Sequence, residues 1–94
     1  MSDLAALSAK VHCRVQGVNF RYFVLRQARV LGITGYVRNL ENGRTVEVRA
    51  EGERDRLEEL LNHLKIGPSR ASVERVDASW SQYTNGFSSF EVAF

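Results

Sequence analysis

The feature that most constrains the fold of this sequence is a hydrophobic pattern whose period changes along the chain from two residues to about 3.6 and back. Residues 10–16 alternate between apolar and polar side chains, which predicts a half-buried strand. From Phe20 the apolar residues follow helical spacing as far as Gly32, which stands where a helix cap is expected. The first unit is therefore a strand, a loop and a helix.

The second unit begins with a hairpin. Residues 33–40 and 45–50 predict two strands, and Asn42-Gly43 between them is a strong hairpin signal. Residues 53–66 then carry four leucines at helical spacing, with acidic residues early and Lys65 late, which predicts a second helix.

Two strands close the chain in this interpretation. Gly67-Pro68 ends the second helix, residues 72–83 predict a fourth strand, and residues 90–94 predict a short closing strand. The order favours a ferredoxin-like α+β fold: a two-layer α/β sandwich, βαββαβ plus a short closing strand, with an antiparallel sheet and two helices on one face. Charged residues should then face water on the other side of the sheet, for example Glu47, Arg49 and Glu91.

Length, charge and composition limit the number of domains and the kinds of partner that this chain can have. We expect 94 residues to form a single domain over 1–94, with residues 1–9 as a flexible N-terminal extension. The net charge of +2 is spread along the chain, which argues against nucleic acid as a partner. We find no apolar run long enough for a membrane span, and we expect no leader and a cytoplasmic monomer. One cysteine and two separated histidines predict neither an internal disulfide nor a metal site.

The stretch VQGVNFR, residues 15–21, could hold an anion at the turn between the first strand and helix. Gly17 can adopt a positive φ angle, Asn19 is a good N-cap, and the backbone N–H groups that follow point out of the helix end. Arg21 in the first turn is unfavourable for the helix dipole, which suggests an anionic partner. A glycine turn before a helix is nevertheless an ordinary structural feature, and that alternative stays open.

Asn39 is a second candidate site residue because of its place in the predicted sheet. In a right-handed split βαβ unit the first two strands run the same way with the third between them, so Arg21 and Asn39 should share one edge. Two spacings of about 4.8 Å separate those strand ends, enough for a phosphate and a water. Asparagine also commonly flanks turns for structural reasons. Arg38 should point to the opposite side of its strand.

Other reactive residues have simpler interpretations. Cys13 alternates with Val11 and Val15, and Arg21 lies eight positions after it rather than the six of the thiol phosphatase loop, so we expect a core thiol. We expect solvated surface positions for His12 and His63, and core positions for Trp80 and the phenylalanines. The outer sheet face lacks the aromatic platform of an RNA-binding sheet, since its expected residues are His12, Arg14, Thr45, Glu47 and Arg49.

Two segments resemble the signatures of the acylphosphatase family. They are Val15-Gln16-Gly17-Val18 with Phe20-Arg21, and Gly35-Tyr36-Val37-Arg38-Asn39 with Gly43 and Val46-Glu47-Val48. The resemblance spans nearly the whole chain and implies a ferredoxin-like enzyme that hydrolyses small acyl phosphates to carboxylate and inorganic phosphate without metal or cofactor.

The resemblance also implies a role for each site residue. Arg21 would bind the phosphoryl group, and Asn39 would orient the attacking water. Backbone N–H groups of the loop would cradle the phosphate, namely those of Gln16, Gly17, Val18, Asn19, Phe20 and Arg21. Position 13 is often glycine in the family, and the segment from Gly43 to Gly52 is one residue longer here, which affects the expected shape of the loop and hairpin. A non-catalytic anion-binding module is the alternative function.

Overall fold

The computed structural model describes residues 3–15 and 19–94. Its elements follow the predicted order of strand, helix, hairpin, helix, strand and short strand. Their bounds are β1 Leu4–Val15, α1 Phe20–Val30, β2 Thr34–Asn39, β3 Thr45–Glu53, α2 Arg54–Ile66, β4 Ser72–Ser81 and β5 Phe90–Val92.

The strands form one five-stranded sheet in the order β4-β1-β3-β2-β5. Strands β1 to β4 pair antiparallel, as predicted, whereas β5 runs parallel to β2 and makes the sheet mixed. The ferredoxin-like prediction is confirmed. Because β3 lies antiparallel between β1 and β2, those two strands run the same way and their carboxyl ends meet one edge of the sheet.

Strand β1 begins earlier than the sequence predicts. Residues 4–9, expected to be part of a flexible extension, pair with β3 and continue beside β4 from Ala6. Ala5, Leu7 and Ala9 lie buried on the inner face of the sheet, so the alternation extends to the start of the strand. It was missed because alanine and serine have weak strand preference and alanine presents little apolar surface.

The core lies between the inner face of the sheet and the two helices. Helix α1 buries Phe20, Val24 and Ala28, and α2 buries Leu57, Leu60 and Leu64. The strands contribute a second set of buried side chains, chiefly Leu7, Val11, Val37, Val46 and Val48. No helix within the described ranges has both the length and the apolar character to cross a membrane.

The outer face of the sheet carries charged side chains in direct contact. Arg38 Nε donates to Glu47 Oε1 at 2.6 Å, and the Tyr36 hydroxyl donates to the same oxygen at 3.0 Å. Arg38 is therefore on the opposite side of β2 from the helices, as predicted. Arg49 and Glu91 are exposed, in agreement with the sequence, while Glu47 is half-buried.

His12 lies on the outer sheet face as predicted, between the buried Val11 and Cys13, but both histidines are less solvated than expected. His12 Nε2 donates to Asp77 Oδ2 at 2.8 Å across the β1–β4 pair, and the His12 side chain is only 26% exposed. His63 is half-buried with its ring centre 6.4 Å from that of Phe23. Their burial comes from contacts with other elements, His12 with β4 and His63 with α1, and local sequence does not reveal such contacts.

The aromatic residues are also less uniformly buried than expected. Phe20 and Phe90 lie in the core, whereas Trp80 packs against the core but is only half-buried, with the Cζ of Arg54 3.7 Å from its ring centre. Phe94 is 92% exposed. The core prediction is wrong for Phe94, and its exposure matters for the site described next.

Candidate active site

The loop between β1 and α1 was predicted to form the anion cradle. Gln16, Gly17 and Val18 lie outside the described residues, so the prediction for their N–H groups is not tested. Asn19 occupies the N-cap position as expected, but it adopts a left-handed backbone with φ 64° and makes no side-chain cap hydrogen bond. Its carbonyl accepts the first hydrogen bond of the helix, from Phe23 N at 2.9 Å. The side-chain capping part of the prediction is wrong, because a left-handed residue departs from the extended geometry that capping favours.

Arg21 lies in the first turn of α1 and is half-buried. That turn contains no acidic residue, and across residues 3–15 and 19–94 no carboxylate forms an ion pair with Arg21. A cation at a helix N-terminus is unfavourable by itself. The surrounding charges therefore leave Arg21 suited to an anionic ligand.

Arg21 also contacts Ala93 and Phe94, the two residues that follow β5. Its Nη1 donates to the Ala93 carbonyl at 3.4 Å, and its Cζ lies 4.7 Å from the centre of the Phe94 ring. Ala93 N in turn donates to the Val37 carbonyl at 2.8 Å. One residue after β5 thus connects Arg21 to β2, two residues before Asn39.

Asn39 is the last residue of β2 and is exposed. It alternates with Gly35 and Val37, which face the helix layer, and its Cα partner across the sheet is the buried Val46. Since β1 and β2 end at the same edge, the fold places Asn39 on the edge and sheet side from which α1 begins with Arg21.

The hairpin after Asn39 is held by its own hydrogen bonds. Leu40 N donates to the Thr45 carbonyl at 2.9 Å, and Asn42 Oδ1 accepts from the backbone N–H groups of Arg44 and Thr45, each at 2.9 Å. The Asn42 amide also donates to Thr45 Oγ1 at 2.8 Å. This turn fixes the point at which β2 ends and so positions the backbone of Asn39.

The Acylphosphatase family model matches residues 7–92. The chain belongs to the acylphosphatase family. An acylphosphatase of Dehalococcoides mccartyi is 49% identical over 86 residues, which span 92% of this chain and 94% of that protein. An acylphosphatase of Thermus thermophilus is 50% identical over 76 residues, spanning 81% and 85%.

Solved acylphosphatase structures have the same fold. The crystal structure of the Bacillus subtilis acylphosphatase superposes with a TM-score of 0.88 at 32% identity, covering 98% of this chain and all of that one. The Coxiella burnetii acylphosphatase gives a TM-score of 0.88 at 36% identity, with coverage of 97% and 94%. The chain is thus an acylphosphatase, a hydrolase.

Cys13 of this acylphosphatase is buried, as predicted, with 2% of its surface exposed. Burial, and secondarily the charge of Glu74, raise the pKa of its thiol above the ordinary value. A thiol that stays protonated at neutral pH is a poor nucleophile.

The acylphosphatase also has the His12–Asp77 pair on its β1–β4 strand pair. The hydrogen bond from His12 is the main reason why the pKa of Asp77 lies below its ordinary value, and Arg75 contributes.

Within the part of the chain that the structure describes, no group of three or more potential ligands could hold a metal ion. Metal-independent hydrolysis stays a prediction.

The sequence identified Arg21 and Asn39 but missed Ala93 and Phe94. The closing strand was recognised from its alternation, yet its partner strand was not. A short strand at the end of a chain carries no local signal for the neighbour that it will pair with. Only the pairing with β2 brings residues 93 and 94 to Arg21.

Proposed function

We propose that this acylphosphatase hydrolyses the carboxyl-phosphate bond of small acyl phosphates, with Arg21 and the backbone N–H groups of residues 16–21 binding the phosphoryl group. Asn39 orients the attacking water, and no metal or cofactor takes part. The observation that carries the proposal is Arg21 itself: a half-buried cation at a helix N-terminus with no carboxylate partner among the described residues.

The chemistry asks for positioning and charge stabilisation more than for a strong acid or base. The leaving group is a carboxylate, which is stable without being protonated. As its bond to phosphorus breaks, negative charge accumulates on the phosphoryl oxygens, where a guanidinium and helix N–H groups stabilise it. Arg21 is suited to this because its planar group can offer two parallel hydrogen bonds to a phosphate.

Asn39 supplies a neutral amide, which can hold a water by accepting from it or donating to it. Placement of that water in line with the leaving oxygen lowers the entropic part of the barrier. Asn39 does not take the proton; we assign that role to a substrate oxygen. Its position at the end of β2, on the edge shared with α1, supports this division of labour.

Hydrolysis of benzoyl phosphate in EDTA tests the proposal. Arg21→Ala should lower kcat/KM at least a hundredfold, or about 3 kcal/mol of transition-state stabilisation. Asn39→Ala should lower kcat more than it weakens phosphate binding. Arg26→Ala, on an exposed position of the same helix, and Asn62→Ala, exposed on α2, are the matched controls.

Three outcomes would contradict parts of the proposal. Full activity in Arg21→Ala would exclude its phosphoryl-binding role, and loss of binding alone in Asn39→Ala would exclude water positioning. A folded wild-type protein that phosphate stabilises but that hydrolyses nothing would be a binding module instead. A monomeric state and a cytoplasmic location stay predictions, which light scattering and cell fractionation would check.

A further inference from the structure

Phe94 is a large apolar side chain that the fold leaves in water beside Arg21. It is 92% exposed, and its ring centre lies 4.7 Å from the guanidinium carbon. Five large apolar side chains are exposed within the described ranges, and Phe94 is the one whose ring stacks on the guanidinium of Arg21. The others are Leu4, Tyr22, Val30 and Ile66.

The backbone holds this ring at the site. Ala93, the preceding residue, is fixed on both sides: its N–H donates to Val37 on β2, and its carbonyl accepts from Arg21 on α1. A guanidinium is also attracted to the face of an aromatic ring, and the attraction is stronger when the pair is partly desolvated. Phe94 therefore follows a residue that is hydrogen-bonded to both β2 and α1.

We propose that Phe94 contacts the acyl group of the substrate and selects acyl phosphates with a flat apolar or aromatic acyl group. This inference rests on the proposed function, because it takes Arg21 as the ligand of the phosphoryl group. A single bridging oxygen separates phosphorus from the carbonyl carbon of an acyl phosphate. A phosphoryl group held by Arg21 at about 2.8 Å therefore keeps the acyl group within reach of a ring stacked on that guanidinium.

The arrangement leaves one face of Phe94 for the substrate. The guanidinium occupies one side of the ring, and the high exposure shows that protein atoms cover little of the remainder. An aromatic acyl group that packs on the ring removes apolar surface of both partners from water and adds ring-to-ring attraction. A methyl group offers a small fraction of that area, so acetyl phosphate gains little.

Selectivity between benzoyl phosphate and acetyl phosphate tests the inference. We expect Phe94→Ala to lower kcat/KM for benzoyl phosphate about fivefold more than for acetyl phosphate, the size expected for an aromatic pair. The change should appear mainly in KM, and Phe94→Leu should fall between the two. Inhibition by inorganic phosphate should be affected equally little in both variants, since phosphate has no acyl group. Val30→Ala, which shortens an apolar side chain that is 81% exposed at the end of α1, is the control.

The outcomes separate this inference from the proposed function. An equal fall for both substrates would show that Phe94 acts only by orienting Arg21, and unchanged kinetics for both would show that Phe94 has no role in the reaction; either overturns the inference alone, provided that Arg21→Ala is inactive. Retained hydrolysis in Arg21→Ala would overturn the proposed function and this inference with it. Thermal unfolding confirms that each variant is folded.

Discussion

The guanidinium of Arg21 and the carbonyl of Ala93 are joined by a hydrogen bond of 3.4 Å between Nη1 and the oxygen. The length marks a weak bond, and it uses one of the five N–H donors of the side chain. Ala93 is itself held on β2 through Val37. Together with the Phe94 ring, 4.7 Å from its Cζ, the bond to Ala93 gives Arg21 a neutral anchor that favours one direction and leaves most of its donors for a ligand.

This anchor predicts a graded effect of replacing Arg21. Arg21→Lys keeps the positive charge but loses the planar group that can bind Ala93 and a phosphate together. We expect kcat/KM for benzoyl phosphate to fall about tenfold or more, and less than in Arg21→Ala. If lysine were as active as arginine, charge alone would suffice and the planar geometry would be irrelevant.

Gly35 is predicted to tolerate no side chain. Its φ is 140°, and a Cβ there would overlap the carbonyl oxygen of Arg49 on β3. Since both atoms belong to paired backbones, relief would require the β2–β3 ladder to separate. We expect Gly35→Ala to lower the free energy of unfolding by about 3 kcal/mol or to prevent folding.

Gly43 is the matched control for Gly35. Its φ is 71°, but the space around a Cβ is open. Gly43→Ala should therefore cost only the left-handed backbone term, about 1 kcal/mol. Urea unfolding of both variants measures the difference, and equal losses would mean that the contact with Arg49 does not matter.

The thiol of Cys13 is predicted to be unreactive in the folded protein. Its raised pKa and its burial both keep the thiol protonated and inaccessible. An aromatic disulfide reagent should label it slowly in the native protein and rapidly in urea. Cys13→Ala should retain benzoyl phosphate hydrolysis. Rapid native labelling accompanied by inactivation would instead place the thiol near the site.

The strongly periodic elements could be predicted from the sequence because their packing surfaces are local. The apolar stripes of α1 and α2, the hairpin at Asn42-Gly43 and the common edge of β1 and β2 all follow from spacing and handedness. The start of β1 could not, because its inward residues include small alanines whose burial depends on their neighbours.

The remaining differences arise from long-range contacts. The parallel pairing of β5 with β2 and the approach of Phe94 to Arg21 join residues far apart in sequence. The pairing of His12 with Asp77 likewise depends on the register of β1 and β4. Amino-acid type indicates that such groups are polar or apolar, but the fold alone decides which of them meet.

Glu51 is a buried carboxylate that fastens the segment between β4 and β5 to the outer face of the sheet. Its side chain accepts from Thr84 N at 2.8 Å, from the Thr84 hydroxyl at 2.7 Å and from Gly86 N at 2.9 Å. The residue is 3% exposed. Burial raises the pKa of Glu51, but these hydrogen bonds outweigh burial and hold the pKa below its ordinary value.

The sign of this shift predicts how stability depends on pH. A lowered pKa in the folded state means that the ionised carboxylate stabilises the fold above the pKa of the unfolded chain, about 4.3. That contribution is lost as the pH falls through the lower folded value. At pH 7, Glu51→Gln should reduce the free energy of unfolding by about 2 kcal/mol, since a charged acceptor of three hydrogen bonds is lost.

Urea unfolding of the wild type and Glu51→Gln between pH 3 and pH 7, values chosen to bracket the roughly 4.3 of an unfolded glutamate, checks this prediction. The gap between the two proteins should be full at pH 7 and should narrow below about pH 4 as the wild-type carboxylate becomes protonated. Glu59→Gln, at an exposed position of α2, is the control and should show no such gap. A gap that stays constant down to the lowest pH would mean that Glu51 acts by packing, and that its charge does not hold the segment in place.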